Sequence, residues 1–210
     1  MTEPTQWETI FKTDPRFFLD PLPQAVTFTQ HLLERGLASA LDIGCGAGRH
    51  TVHMARNGLR VTGMDNAPTA LSLTRQWLDK EGLDAGLVLT DMRVSLPFAS
   101  ASFGAIISTN VIHHALLNTV LGTAREIERV VRSSGMILLT VPARKEVASS
   151  DSPAPNEIEP NTFIPTDGPE KGLPHHLFTP EEFREIFPNF DVVELYVNEG
   201  RQIVLIAVKK

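Results

Sequence analysis

The chain lacks the marks of several large protein classes. Its single cysteine, Cys45, excludes an internal disulfide framework and fits a reducing compartment, with the cytoplasm the expected location. No apolar stretch approaches the length of a membrane span, so no membrane partner is expected. The start, MTEPTQWETIF, has no basic region followed by an apolar core, and no signal peptide is expected. Basic charge is not in excess either: the formal net charge is −6, which disfavours a polyanion such as DNA or RNA as partner. No internal repeat is evident. What remains is 210 residues, 42% hydrophobic and 21% charged, enough to bury one core, and a single domain over 1–210 is expected.

The most informative stretch present is LDIGCGAGRHTVHMA, residues 41–55. Strand-like residues run into Gly44, Gly46 and Gly48, and a helical pattern follows at once. Glycines one residue apart let the backbone turn sharply and let a ligand approach without a Cβ in the way. The helix behind them offers unpaired N–H groups to whatever sits in the turn. The dinucleotide fingerprint G-x-G-x-x-G would place its last position on Arg49, but here the third glycine comes one residue early. The loop marks a nucleotide-like ligand site at the carboxyl end of the first strand without naming the ligand.

Strand and helix signals alternate around it. Helices are expected over 21–35, 49–57, 67–81 and 117–131, and strands over 38–43, 59–64, 86–89, 103–108 and 135–141. Residues 143–176 break the rhythm with Pro153, Pro155, Pro160, Pro165, Pro169 and Pro174, a long irregular insert of the kind that forms a lid or binding loop. Thr179-Pro180-Glu181-Glu182 then reads as N-cap, first helical position and acids at the positive end of a helix dipole, opening a helix to about Phe187. Strands over 191–197 and 202–208 close the chain around Asn198-Glu199-Gly200, a hairpin-type connection. The pattern predicts an α/β fold, a doubly wound and mostly parallel sheet with an antiparallel strand late in the order. Trp7 and Phe11, four apart on an N-terminal helix, must cover something: a substrate mouth, as part of a helical cap over about 1–35, or the core. Phe163 and Ile164 in the insert invite the same two readings.

Acids stand at the ends of successive strands. Asp65 follows the second, where it can reach a ribose held over the glycine loop and accept from both hydroxyls; Asn66 beside it serves at least as well as a helix cap. Asp91 follows the third, where it can accept from an exocyclic amine while Met92 offers a polarizable surface to an adenine ring. Asp42, inside the first strand, needs partners: N–H groups of the glycine loop, or a cationic ligand across it. Asn110 supplies an amide at the end of the fourth. Cys45 is a small residue that fits the turn.

The series LDIGCGAGRH, VTGMDNAP, TDMRVSLPFASASFGAIISTNVIHH and GMILLTVPAR resembles the class I S-adenosylmethionine-dependent methyltransferases over about residues 38–142. The resemblance implies a Rossmann-like seven-stranded sheet of order 3214576, with strand 7 antiparallel between strands 5 and 6. It implies that Gly44, Gly46 and Gly48 cradle the methionine part of S-adenosyl-L-methionine, that Asp65 holds the ribose, that Asp91 and Met92 hold the adenine, and that Asn110 borders the sulfonium. Asp42, Cys45 and Asn66 complete the expected cofactor-binding set. The closing pieces NTFIPTDGPEKGLPHHLFT and PEEFREIF look like a bacterial and archaeal branch, some members of which are labelled tellurite-resistance-like.

The implied reaction is methyl transfer to an unidentified small-molecule acceptor by a monomer or homodimer. Such a transfer is an in-line displacement, and orientation alone can supply about 7–11 kcal/mol. A general base matters only where the nucleophile must lose a proton. The candidates are His113 and His114 after the fourth strand, and His175 and His176 at the end of the insert. Adjacent residues usually point different ways, so one of each pair is expected to face the site. No metal site is expected, because no H-x-x-x-H spacing or cysteine pairing supports one. His50 and His53 are expected to support the helix after the loop. The stretch TNVIHH lacks the Pro-Pro pattern of many amino-directed nucleic-acid methyltransferases. Two other readings stay open: a non-catalytic, regulatory module that binds the same cofactor, and a nicotinamide-dependent dehydrogenase on a related sheet.

Overall fold

The computed structural model describes residues 5–14, 19–144 and 156–210. Helices α1 (Gln6–Thr13) and α2 (Pro23–Glu34) precede an alternating series: β1 (Ser39–Ile43), α3 (Arg49–Arg56), β2 (Arg60–Asp65), α4 (Pro68–Glu81), β3 (Gly86–Leu89), β4 (Phe103–Thr109), α5 (Leu117–Val130) and β5 (Val131–Pro142). Then come β6 (Glu157–Glu159), β7 (Thr162–Phe163), β8 (His175–His176), α6 (Pro180–Glu185), β9 (Phe190–Val197) and β10 (Gln202–Lys209).

Seven strands form one sheet in the order β3-β2-β1-β4-β5-β10-β9. The first five are parallel, and β10 runs antiparallel to both β5 and β9. This is the Rossmann-like order with the last strand inserted that the resemblance implies. The order reverses between β1 and β4, which leaves a crevice outside the carboxyl ends of those strands.

Side-chain alternation sorts the core into two layers. Leu41, Ile43, Ile106, Ile137, Leu139, Ile203 and Leu205 pack with Ile127 of α5 and Phe183 of α6. Ala40, Ala105, Ile107, Leu138, Val204 and Ile206 pack with Phe28 of α2, Val52 of α3 and Leu78 of α4. A period of two along each strand produces this division. β4, FGAIIST, is buried throughout, as a parallel strand covered on both faces must be. β5 begins at Val131, directly after α5, four residues before the expected start. The exposed Arg132-Ser133-Ser134 stretch hides that beginning, and the pairing with β4 slips between Phe103 and Ala105 to accommodate it.

Three features outside the main sheet place the site. Glu8 of α1 accepts from Thr69 N–H (2.9 Å) and Thr69 Oγ1 (2.8 Å), fastening α1 to the start of α4. The insert, whose residues 145–155 lie outside those described, forms a small antiparallel sheet, β6-β7-β8, rather than an irregular loop. Strands of two or three residues are too short to leave a periodic signal. Its β8 is tied to the turn after β4 by a backbone bond from His176 N–H to the His113 carbonyl (2.9 Å). The chain then enters α6 through a capping box: Thr179 Oγ1 accepts from Glu182 N–H (3.2 Å), and Glu182 Oε2 accepts from Thr179 N–H (2.8 Å). Among the described residues no helix is long and apolar enough to cross a membrane.

Candidate functional site

A cavity of about 550 Å³ opens at the carboxyl ends of β1, β2 and β4, within the range of small-molecule sites. Its lining brings together Gly44, Cys45, Gly46, Asp65, Asn66, Met92, Asn110, His113, His114 and His175 from the expected residues. Asp42, Gly48, Asp91 and His176 are not among the lining residues.

The glycine loop has the geometry its spacing implies. Gly44 and Gly46 hold φ of +70° and +55°. A Cβ on Gly44 would sit 2.4 Å from Val111 Cγ2, so only glycine fits there. Gly48, at φ +95°, caps α3, and the place of its missing Cβ is filled by Thr74, at 2.7 Å. It closes the loop against α4 and is not among the lining residues. The loop carbonyl of Gly46 accepts from Thr74 Oγ1 (2.9 Å).

Asp65 ends β2 beside this loop. One carboxylate oxygen accepts from Gly46 N–H (2.9 Å) and the other from Ala67 N–H (2.9 Å). Burial raises its carboxyl above the ordinary value, and these N–H bonds work against that rise. Asp42 finds its hydrogen-bond partner on the helix that follows. It is buried in β1, where Thr51 Oγ1 of α3 donates to it at 2.7 Å. Burial pushes its carboxyl up to about 6, against the Thr51 bond and the Arg49 charge. Burial with the neighbouring Asp42 and Asp65 charges also pushes the Cys45 thiol well above its range, which favours the neutral thiol over the thiolate.

At the end of β3 the Asp91 carboxylate engages protein rather than the cavity. Both oxygens take the Arg93 side chain (2.6–3.0 Å), and one also accepts from Asn66 Nδ2 (3.3 Å). Burial raises its carboxyl, and these bonds outweigh that and leave it below the usual value. A basic residue two positions on that folds back bidentately leaves no periodic trace in sequence. Thr90, Met92 and Arg93 reach the cavity in its place.

Asn110 sits at φ +56° at the end of β4, a conformation that asparagine tolerates better than most residues. Its N–H donates to the Thr140 carbonyl (2.9 Å) and lies 3.1 Å from Thr140 Oγ1, which pins the turn that follows. In that turn both His113 and His114 reach the cavity, contrary to the expectation of one. Strict alternation belongs to extended strands, and this segment is folded by a bond from His114 N–H to the Val111 carbonyl (3.0 Å). In β8 alternation does apply: His175 faces the cavity, while His176 is bonded through Nδ1 to Thr162 Oγ1 (2.6 Å). The ring centroids of His113, His114 and His175 lie 3.9, 4.6 and 5.4 Å apart. Burial holds all three below the ordinary histidine range, His114 down to about 3, so the rings are neutral.

Other lining residues carried no signal in sequence. Arg49, the first residue of α3, sets a guanidinium against the loop, with one N–H 3.3 Å from Thr109 Oγ1. His50, expected only as helix support, also lines the cavity and accepts from Leu22 N–H at 3.3 Å. Gly200 and Gln202 of the β9–β10 hairpin reach it too. Trp7 and Phe11 line the cavity and pack on Ala47, Ala67 and Ala70. Gln6 Nε2 donates to the Pro169 carbonyl (2.8 Å), joining α1 to the insert. Phe163 pairs with Glu157 and His175 in the small sheet and is not among the lining residues.

Residues 41–139 match the family model of a methyltransferase domain. The sheet order is that of the Rossmann-like methyltransferase fold. The chain is similar to a ubiquinone biosynthesis O-methyltransferase of Methylocella silvestris, 35% identical over 97 residues that make up 46% of this chain and 37% of that protein. It is also similar to an 18S rRNA (guanine-N(7))-methyltransferase of Schizosaccharomyces pombe, 36% identical over 81 residues, 39% of this chain and 29% of that one. The matches thus span about a third of the curated relatives' length. Among solved structures, the Burkholderia thailandensis 1,6-didemethyltoxoflavin-N1-methyltransferase shares the fold with a TM-score of 0.72 at 18% identity, covering 100% of this chain and 92% of that one.

Proposed function

We propose that the protein transfers the methyl group of S-adenosylmethionine to a small-molecule acceptor within this cavity. The observation that carries the reading is the meeting, in one cavity, of the glycine loop and Asp65 with Asn110 and the three histidines. When bound, the cofactor supplies an activated methyl on a cationic sulfonium. The residues present fit it. Gly44 and Gly46 leave backbone bare for the methionine part, and Arg49 is a cation placed for its carboxylate. Asp65 has spent one lone pair on each oxygen and keeps enough to accept from two ribose hydroxyls. Asn66, Thr90 and Met92 face the adenine, with Asp91 steering Asn66 and Arg93. The buried acids Asp42 and Asp65 favour a cationic ligand over a neutral one.

Trp7 from α1 and Leu173 from the insert close the cavity over the acceptor. Residues 156–176 serve as the lid and α1 as the cap of one domain. A concave site of small-molecule size and a negative net charge favour a small acceptor over a polyanion. Orientation of the nucleophile provides most of the acceleration, and the three histidines border the place the acceptor would take. A single cysteine supports a reducing compartment, the cytoplasm.

Calorimetry tests the reading directly. S-adenosylhomocysteine binds in preference to NAD, and the opposite preference would overturn the assignment. Radiolabelled methyl transfer into a metabolite extract then separates an enzyme from a regulatory module, since the module binds without turnover.

A further inference from the structure

We propose that His113, His114 and His175 form a binding site for one divalent transition-metal ion of the zinc type. One ligand nitrogen from each ring lies within 4.8 Å of the other two. His113 and His114 are 3% and 7% exposed, yet the Nδ1 atom of each is buried with no hydrogen-bond partner. His175 Nε2 is also buried without one; it stands 3.3 Å from Glu170 Oε2, out of alignment for a hydrogen bond. A buried polar atom left unpaired costs about 1–3 kcal/mol. Among the described residues five side-chain atoms are in this state, and three of them belong to this one cluster. A shared ligand satisfies such convergence better than three separate accidents of packing.

The donor set selects the ion. Neutral imidazoles suit zinc, copper, nickel and iron, whereas magnesium and calcium demand oxygen ligands. Zinc–nitrogen bonds of about 2.0–2.1 Å in a tetrahedron put ligand nitrogens about 3.3 Å apart, so the rings draw together by up to about 1.5 Å on binding. The frame for that movement is in place. The His176 N–H to His113 carbonyl bond ties the two contributing segments, and Trp7 packs edge-on against His114 at 5.1 Å. Three protein ligands leave a fourth position, and all three residues line the cavity, so that position faces the acceptor.

The metal site rests on the three rings alone. Its part in methyl transfer rests on the reading given above: an acceptor hydroxyl or thiol bound at the open position releases its proton to solvent and keeps its lone pair for the methyl. This narrows the acceptor to a compound carrying such a group.

The test uses untagged, full-length protein stripped by a chelator and titrated with Co²⁺, followed by visible absorption. One equivalent binds with a d–d band, and Zn²⁺ displaces it. His175→Gln and His114→Ala weaken Co²⁺ by about a hundredfold or more while S-adenosylhomocysteine affinity holds. Absence of stoichiometric Co²⁺ binding, or unchanged affinity in the double variant, overturns the site. X-ray absorption of the zinc-loaded wild type needs no variant; it counts three imidazoles, and fewer than two overturns the site. Metal binding without S-adenosylhomocysteine binding would sink the cofactor reading and leave this inference standing.

Discussion

The donor part of the cavity and the histidine part are assembled by different means. Gly44, Gly46 and Asp65 stand at the ends of two paired strands, and their geometry is fixed by the sheet and by bonds within a short stretch of backbone. His113 and His114 come from a turn, His175 from an insert far along the chain, and one backbone bond holds them in register. The first arrangement is local and rigid. The second is a tertiary junction, with unsatisfied nitrogens and with α1 and the insert leaning on each other through Gln6. Ligand binding at the first is expected to change little, and at the second to complete the structure, which hydrogen exchange with and without each ligand checks.

This contrast can be broken by substitution. Gly44→Ala has the largest expected effect, a loss of about 3–5 kcal/mol in chemical denaturation, because a Cβ meets Val111 in a left-handed conformation. A loss under about 1 kcal/mol would show the loop to be plastic rather than rigid. Asp42→Asn acts the other way. The folded carboxyl, raised to about 6 from 3.8, gains stability below pH 3.8 and loses it as pH rises through 6. The amide keeps a partner for Thr51 and does not ionise, so the variant is more stable than wild type at pH 8 by up to about 3 kcal/mol, and its stability is flatter between pH 4 and 6. Equal pH profiles would mean that Asp42 is not buried in ionised form.

Asp65→Ala weakens S-adenosylhomocysteine by about ten- to a hundredfold, seen by calorimetry, and leaves Co²⁺ binding unchanged if the two parts are independent. Coupled losses would join them. Thr179→Ala gives the smallest change, about 1 kcal/mol from the lost cap. It loosens the chain just after β8, so Co²⁺ affinity falls while cofactor affinity does not. A fall in cofactor affinity instead would show that α6 supports the donor part.

The same contrast explains what could be read in advance. The βαβ rhythm and the positions of Gly44, Gly46 and Asp65 follow from local period and spacing, because each is set by its own strand and turn, whereas the order of the strands is what the family resemblance implies. Asp91 was legible as a strand-end acid, but not its capture by Arg93. Asp42 announced itself as a buried acid, yet its partner Thr51 lies on the next helix. Arg49, the short strands of the insert and the meeting of three histidines depend on chain segments distant in sequence. No spacing rule for metal ligands covers residues supplied by a turn and a remote hairpin strand.

The bond between His176 and His113 has a consequence for how the cavity wall holds together. With Gln6 Nε2 on the Pro169 carbonyl and Leu117 N–H on Glu159 Oε1, it makes the excursion over 156–176 a bridge between α1, the turn after β4 and the start of α5, so that a change at any one of these anchorages is felt at the other two.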